Sequence, residues 1–198
     1  MDFTIRQIEI ITAATELIGE KGLQNLTTKN LAAKVGFSEP ALYRHFKNQR
    51  NIIQSVLIFY RLQMKSGIEK VMTNNDLGGD KIQRLMEFQF NHFSKNPAVV
   101  MVIFSETSFQ YDEQLSKVVL SILTQKKTLL ENIIQLGQKD KSIRADFEPS
   151  QLADIIMGSM RFTILRWRLN NFDFNLTKEG DKLWETTRKI LKCPKNRT

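Results

Sequence analysis

Apolar residues recur three or four positions apart along almost the whole chain, and this helical spacing limits the possible folds more than any other feature. Alternation of apolar and polar residues between hairpin turns, which indicates strands, is not found in the sequence. Only four prolines and nine glycines occur in 198 residues, and they lie between the periodic segments. The sequence therefore predicts an all-α protein of about nine helices.

Caps and breakers give the approximate bounds of the first four helices. The first spans about residues 4–21 and ends at Gly22. Thr27 or Thr28 caps a short second helix, and Ser38 caps a third. The fourth, capped by Asn48, continues to about residue 72. The predicted buried face of the first helix consists of Ile8, Ile11, Ala14, Leu17 and Ile18.

The second half of the chain continues the helical pattern. NNDLGGD, at 74–80, is predicted to be a loop. The run AVVMVIF also fits a buried strand, but its helical neighbours favour a helix. The predicted helices are 81–94, 98–104, 112–138, 149–169 and 177–192.

Cysteine content and the N-terminal sequence bear on the compartment. Cys193 is the single cysteine, so no internal disulfide can form and a reducing compartment is expected. Asp2 and Glu9 interrupt the segment where a signal peptide needs positive charge and a continuous apolar run. No stretch approaches eighteen apolar residues, so no membrane span is expected. The sequence indicates a cytoplasmic protein.

Positive charge is concentrated in one short region of a chain whose net charge is +8. Residues 27–50 have a net charge of +4, whereas residues 1–26 have a net charge of −2. An excess of this kind favours an anionic partner such as nucleic acid. The charged residues of 27–50 are Lys29, Lys34, Arg44, Lys47 and Arg50 against Glu39.

The same region, which includes GFSEPALYRHFKNQR at 36–50, has the pattern of a helix-turn-helix. The second helix of such a motif enters the DNA major groove with its N-terminal end leading. Leu42 and Phe46 would hold that helix on the protein, while Lys47 and Arg50 extend the cationic surface. Helix–glycine–helix pairs are common, however, and a charge cluster can be a solvated face, so spacing alone leaves both interpretations open.

Residues 6–53 resemble the DNA-binding domain of the tetracycline-repressor (TetR) family of bacterial transcription regulators. The resemblance lies in three successive segments, IITAATELIGEKG, LTTKNLAAKVGFS and ALYRHFKN. It implies an N-terminal three-helix helix-turn-helix domain at residues 1–50. It also implies a larger helical domain at 51–198 that binds a small effector and forms a homodimer.

The resemblance also implies which residues contact DNA. In the family pattern, residues at the start of the second helix and near the end of the third contact phosphate, and Pro40 and Ala41 approach bases. Arg44 is a candidate base reader because arginine suits guanine. Glu39 either accepts from cytosine or only favours the helix N-terminus. The full predicted set is Thr27, Thr28, Lys29, Ser38, Glu39, Pro40, Ala41, Tyr43, Arg44, His45 and Lys47.

The last two long helices are the predicted dimer surface. The helix at 149–169 has two apolar faces, which indicates two packing partners. One face contains Ile156 and Met160, and the other contains Ile155 and Phe162. A single thick core within one chain is the alternative. The residues assigned to the dimer interface are Ile156, Met160, Ile164, Trp167, Leu183, Trp184, Thr187 and Ile190.

Thirteen phenylalanines and seven methionines could line an adaptable apolar cavity for the effector, although plain core packing explains them equally. His92 fits a hydrogen-bonded structural role better than a metal-binding one, because the only other histidine, His45, is in the DNA motif. No metal or cofactor is expected. The predicted cavity residues are Tyr60, Met64, Phe88, His92, Met101, Phe104, Leu129 and Phe162.

The sequence therefore leaves three classes of function. The first is a repressor that a small apolar or amphipathic ligand releases from a palindromic operator. The second is an architectural or division-control DNA-binding protein of the same fold that needs no effector. The third is an enzyme, and the sequence disfavours it because no phosphate-binding loop, metal-ligand cluster or nucleophile–base pair occurs.

Overall fold

The structure, a computed structural model, describes residues 3–73 and 75–192 and is helical throughout, with no strand in those ranges. The all-α prediction is confirmed. Two one-turn elements were not predicted, a 3₁₀ turn at Leu23–Asn25 and helix α7, because single turns are too short to show a period. The helices are α1 (Ile5–Lys21), α2 (Thr28–Val35), α3 (Glu39–Tyr43), α4 (Gln49–Thr73), α5 (Gly78–Lys95), α6 (Pro97–Ile103), α7 (Glu106–Phe109), α8 (Glu113–Lys139), α9 (Pro149–Leu169) and α10 (Leu176–Leu191).

The chain forms two compact units. The first comprises Met1–Met64 and Asn96–Ser121, and the second comprises Lys65–Lys95 and Ile122–Thr198. The predicted three-helix domain lies within the first unit, and its boundary at residue 50 stays a prediction. Cys193 lies outside the described residues.

Side-chain caps set the helix starts where the sequence places them. Thr27 Oγ1 accepts from the N–H of Asn30 at 3.1 Å, and Ser38 Oγ accepts from that of Ala41 at 3.3 Å. Asn48 Oδ1 accepts from the N–H at residue 51 in the same way, at 2.9 Å. These bonds satisfy N–H groups that have no partner inside the helix, so the three predicted caps are confirmed.

In the first unit, α1 packs against α2 and α6. Ala98 lies so close to Gly19 that a Cβ on the glycine would come within 2.6 Å of the alanine Cβ. The predicted apolar face of α1 is confirmed except at Ile8, which is 36% exposed. Ile10 is fully buried instead, because α1 is covered on more than one side.

The loop predicted at 74–80 is shorter than expected, because α5 already begins at Gly78. The Gly78 N–H donates to Asp140 Oδ2 at 2.7 Å, and the Gly79 N–H donates to Ser142 Oγ at 3.0 Å. A Cβ at Gly78 would lie 2.3 Å from the Gly137 backbone. These glycines therefore serve close helix packing in the second unit rather than loop flexibility.

Lys81 is 6% exposed and caps the end of α4 within the second unit. Its Nζ donates to the carbonyls of Val71 and Met72, at 3.3 and 3.1 Å. We expect Lys81→Met, which keeps most of the aliphatic stem, to lower the free energy of unfolding by about 2 kcal/mol because buried carbonyls lose a charged donor. Urea denaturation measures this loss. Lys70→Met, at an exposed position of α4, is the control, and an equal effect of both substitutions would contradict the capping role.

None of the helices in the described ranges is long and apolar enough to cross a membrane.

Candidate nucleic-acid interface

A tight turn joins α2 to α3 in the first unit. Gly36 has φ +74°, in the left-handed region that glycine adopts without strain. The N–H of Phe37 returns to the carbonyl of Ala32 at 2.9 Å, which closes α2. Leu42, fully buried, and Phe46, 6% exposed, hold α3 on the protein. The geometry is that of a helix-turn-helix whose second helix, α3, has a free polar side.

The residues predicted to contact DNA lie at the surface of the first unit. Of the eleven, Thr28, Ala41 and His45 are half-buried. The other eight are exposed: Thr27, Lys29, Ser38, Glu39, Pro40, Tyr43, Arg44 and Lys47.

Three contacts hold parts of this surface in place. The hydroxyl oxygens of Thr28 and Tyr43 lie 3.1 Å apart, so the start of α2 meets the end of α3. The His45 ring stacks on Phe37, with centroids 6.3 Å apart and planes at 29°. The Arg6 guanidinium lies 5.7 Å from the centroid of the same phenylalanine ring. Tyr43 and His45 are therefore held in place by neighbours and are not free to reorient fully.

Not every cation of residues 27–50 contributes to this surface. Lys34 is paired with Glu20 at 2.9 Å and Glu16 at 3.3 Å, and hydrogen bonding, to Glu20 above all, raises the pKa of its ammonium above the ordinary value. Lys29, Arg44 and Lys47 make no ion pair within residues 3–73 and 75–192. These three, which we call the free cations, can neutralise phosphates.

Arg50 was expected to extend the cationic surface, but its Nε donates to Asp112. Asp112 also caps α8, because Oδ1 accepts from the N–H groups of Gln114 at 3.1 Å and Leu115 at 3.2 Å. Although desolvation raises the pKa of Asp112, these hydrogen bonds and Arg50 outweigh it and lower that pKa. Gln49, beside Arg50, donates to the Leu26 carbonyl. The first turn of α4 is thus tied to other parts of the first unit, although Arg50 remains half-exposed.

Glu39 is exposed in the first turn of α3 and makes no ion pair within the described part of the chain. A carboxylate at this position favours the helix N-terminus. Its alternative role, accepting from cytosine, stays a prediction.

The residues predicted to line an effector cavity are divided between the two units. Tyr60, Met64 and Phe104 are buried in the first unit, and burial raises the pKa of the Tyr60 phenol. Met101, also in the first unit, and Phe88, His92 and Leu129, in the second, are half-buried. Phe162 is 60% exposed, so it lies on a surface rather than in a cavity. A single cavity formed by this set stays a prediction.

Phe88 has a specific neighbour within the second unit. A Cβ built on Gly67 of α4 would come 2.1 Å from the Cζ atom of the Phe88 ring. Only a glycine leaves room for the ring at this point. The contact links the middle of α5 to α4, the helix that follows the DNA-binding motif.

Desolvation lowers the pKa of His92 below its ordinary value of about 6.5. The folded protein therefore binds this proton less readily than the unfolded chain does. The stability that neutral His92 confers is complete above pH 6.5 or so and declines as the pH falls toward the folded-state pKa. We expect the midpoint of thermal unfolding to fall between pH 7 and 5, and to fall less in His92→Gln. Identical pH profiles for the two proteins would contradict this expectation.

The structure buries the face of α9 on which the dimer interface was predicted. Ile156, Met160, Ile164 and Trp167 are each no more than 4% exposed within one chain. In α10, Trp184 and Thr187 are buried too, whereas Leu183 is half-buried and Ile190 is 43% exposed. Six of the eight predicted residues therefore belong to the core of one chain, because α9 and α10 pack on each other and α10 packs on α5.

The second apolar face of α9, which contains Ile155 and Phe162, is not covered by the chain itself. Its large side chains are 52, 60 and 69% exposed, and a Cβ added at Gly158 would meet nothing within 4 Å. Sequence periodicity predicts two apolar faces, but it does not indicate which of them is buried within the chain. We call this surface the α9 apolar face, and it consists of Ile155, Gly158, Phe162 and Leu169.

Among the described residues, no three His, Cys, Asp or Glu side chains are grouped so that they could hold a metal ion.

The fold and this surface define a DNA-binding regulator of the helix-turn-helix class. Residues 10–56 match the family model described as bacterial regulatory proteins, tetR family, and residues 61–189 match the model of the C-terminal region of YsiA-like proteins. The chain belongs to the tetR family of bacterial regulatory proteins, as the resemblance predicted.

Relatives of known name align over nearly the whole chain. The nucleoid occlusion factor SlmA of Photobacterium profundum is 21% identical over 92% of this chain and 93% of its own length. SlmA of Marinobacter nauticus is 24% identical over 90% of this chain and 92% of its own length.

Solved structures share the fold at low sequence identity. FadR of Bacillus subtilis, in complex with stearoyl-CoA, has a TM-score of 0.80 and 19% identity, covering 93% of this chain and 98% of its own. The ketosteroid transcriptional regulator KstR2 of Mycobacterium tuberculosis has a TM-score of 0.79 and 15% identity, covering 97% of each chain.

Proposed function

We propose that this protein is a homodimeric cytoplasmic repressor that binds a palindromic operator and leaves it when a lipid-derived amphipathic molecule binds. The observation that carries the proposal is the set of free cations Lys29, Arg44 and Lys47 around the exposed Tyr43 on a helix-turn-helix. Lysine and arginine on such a surface contact phosphates, and arginine also reads guanine. Sequence preference then comes from the exposed N-terminal side of α3.

A dimer follows from the size of this surface. One five-residue helix reads too few base pairs for a unique site, and two copies related by a two-fold axis read a palindrome. We propose the α9 apolar face as the contact, since three large exposed apolar side chains on one helix are typical of an interface.

We expect Phe162→Glu to convert the dimer to monomer, because it places a charge among the apolar side chains of that face. Sedimentation equilibrium at micromolar concentration measures the change. Tyr111→Glu, at a position 92% exposed in the first unit, is the control and leaves the dimer intact. A Phe162→Glu protein that remains dimeric would place the contact elsewhere.

Composition and one solved structure of the same fold favour an apolar or amphipathic effector. Phenylalanine and methionine are abundant in the helical domain, and FadR of B. subtilis forms a complex with stearoyl-CoA. We propose a long-chain acyl thioester as the effector class. Such a ligand changes DNA affinity only if it prefers one conformation of the protein, and α4 is suited to transmit that preference because it begins six residues after α3.

Selection from a random DNA pool with the purified protein, without ligand and at near-physiological salt, tests this function. Enrichment of a palindrome supports a dimeric sequence reader, and release of that DNA by stearoyl-CoA supports the effector class. Failure to enrich any sequence, with or without stearoyl-CoA, would refute sequence-specific repression. The salt concentration is fixed because non-specific phosphate binding weakens as salt rises.

A second candidate function is supported by the SlmA relatives, which are described as nucleoid occlusion factors and align over more than nine-tenths of both chains. In that case the protein binds many chromosomal sites and needs no acyl effector. Chromatin immunoprecipitation separates the two functions: a few promoter sites favour the repressor, and many dispersed sites favour the second candidate.

A further inference from the structure

An open groove lies between α4 and α8 in the first unit and is distinct from the DNA-binding surface. Its volume is about 540 Å³. The groove is formed by successive turns of α4 and by the first three turns of α8. It is lined by Gln54, Ile58, Arg61, Gln114, Lys117, Val118 and Ser121.

The charge of the groove is positive. Arg61 and Lys117 line it, and no carboxylate is among the lining residues. Arg61 makes no ion pair with any residue in the described ranges. Lys117 pairs with Glu113 at 2.6 Å, but both side chains are largely exposed, at 73% and 82%, and solvent-exposed pairs of this kind are weak. Both cations are therefore available to an anionic ligand.

The remaining lining residues narrow the chemistry of that ligand. The amides of Gln54 and Gln114 can donate to oxygen atoms, and the planar guanidinium of Arg61 suits two oxygens of one phosphate. Ile58 and Val118 add an apolar surface on which a ring or an alkyl chain can rest. A carboxylate alone would leave the apolar surface and some of the donors without a partner. A phosphorylated group attached to a ring or chain can contact the cations, the amides and the apolar surface together.

We propose that the groove between α4 and α8 binds the phosphate-bearing part of a nucleotide or of a nucleotide-linked thioester. In the second form the inference rests on the proposed function, because the acyl thioester is the proposed effector. The groove then binds the polar headgroup, and the acyl chain binds at a separate site.

Ligand binding in the groove would affect DNA binding because the groove lies on α4, the helix that follows the DNA-binding motif. Arg50, on the first turn of α4, is paired with Asp112, which caps α8. A phosphate held by Arg61 and Lys117 bridges the same two helices about three turns of α4 further along. Occupancy of the groove therefore fixes α4 against α8 near the motif that reads DNA.

The test compares two double variants of equal charge change. Arg61→Gln with Lys117→Gln removes both groove cations. Lys65→Gln with Lys70→Gln removes two exposed cations of α4 that do not line the groove. Calorimetry measures binding of ADP, coenzyme A and stearoyl-CoA to each full-length dimer, and operator binding without ligand confirms that each variant is folded.

We expect the groove variant to bind coenzyme A and ADP at least about tenfold more weakly than the wild type, and the control variant to match the wild type. ADP binding alone identifies a nucleotide site, whereas binding of the coenzyme A forms without ADP identifies a thioester headgroup site. Equal losses of ligand affinity in the two double variants would show that overall charge causes the effect, and this would overturn the proposal. Unchanged ligand affinities in the groove variant would also overturn it. If the groove variant is unfolded, Lys117→Gln alone, at a 73% exposed position, replaces it and must weaken binding.

The groove proposal and the effector proposal can fail separately. Release of operator DNA from the wild type and the groove variant at the same stearoyl-CoA concentration supports the proposed function and overturns the thioester form of the groove proposal, and ADP binding by calorimetry then decides the nucleotide form. Binding of coenzyme A or ADP to the groove without any release of DNA by stearoyl-CoA supports the groove proposal and overturns the proposed effector.

Discussion

Replacing the free cations Lys29, Arg44 and Lys47 together with glutamine should lower operator affinity by about 10³-fold at near-physiological salt. Each phosphate contact adds about 0.9 to the steepness with which log affinity falls as log salt rises, and the proposed dimer would lose several such contacts at once. The variant should therefore bind more weakly and also respond less steeply to salt. Fluorescence anisotropy across a salt series measures both quantities.

The control for this experiment carries the same change in net charge away from the motif. Lys65, Lys70 and Lys182 are exposed and lie in the second unit. Their replacement by glutamine should leave the salt slope unchanged. If both triple variants lose affinity equally, overall charge and not the surface around α3 governs binding, and the interface is placed wrongly.

Phe90→Ala should produce the largest loss of stability among the changes considered, about 3 to 5 kcal/mol. The side chain is 1% exposed, and its ring lies against Gly180 where α5 packs on α10. Removing it leaves a cavity that the two helices cannot close. Thermal and urea denaturation measure the loss, and Tyr111→Ala, at a 92% exposed position, should change stability little.

The contact between Phe90 and Gly180 can also be tested by adding a methyl group at the glycine. A Cβ at Gly180 would lie 2.4 Å from the Phe90 ring, so Gly180→Ala overfills the site and should cost about 1 to 3 kcal/mol. Combining Gly180→Ala with Phe90→Leu should recover part of that loss, because the smaller side chain leaves room for the new methyl group. Additive losses in the combined variant would show that the two positions are not in contact.

The sequence predicts those features whose physical cause is local. Helix periods and the caps at Thr27, Ser38 and Asn48 depend on neighbours within a few residues, and all three caps are present. The same holds for the turn at Gly36 and the exposed polar side of α3. These features also underlie the family resemblance, which is why the DNA-binding motif was recognised without a structure.

Features that depend on a partner distant in sequence are not predictable in this way. The sequence predicts a loop at Gly78 because its neighbour Gly137 lies 59 residues away and leaves no periodic signal. It predicts Arg50 on the cationic surface because its partner, Asp112, is 62 residues away. Both faces of α9 carry large apolar side chains, so only packing decides which one is covered. The groove of Arg61 and Lys117 was missed for the same reason, because its walls come from separate helices.

The five-residue length of α3 couples DNA reading to folding. An isolated helix of this size does not persist in water, so the surface that meets DNA exists only while Leu42 and Phe46 remain packed in the first unit. Binding and folding are then linked equilibria, and operator DNA well above its dissociation constant must raise the melting temperature with the logarithm of its concentration. Under the proposed function, repression then has an upper temperature set by unfolding, above which the controlled genes are released without any effector.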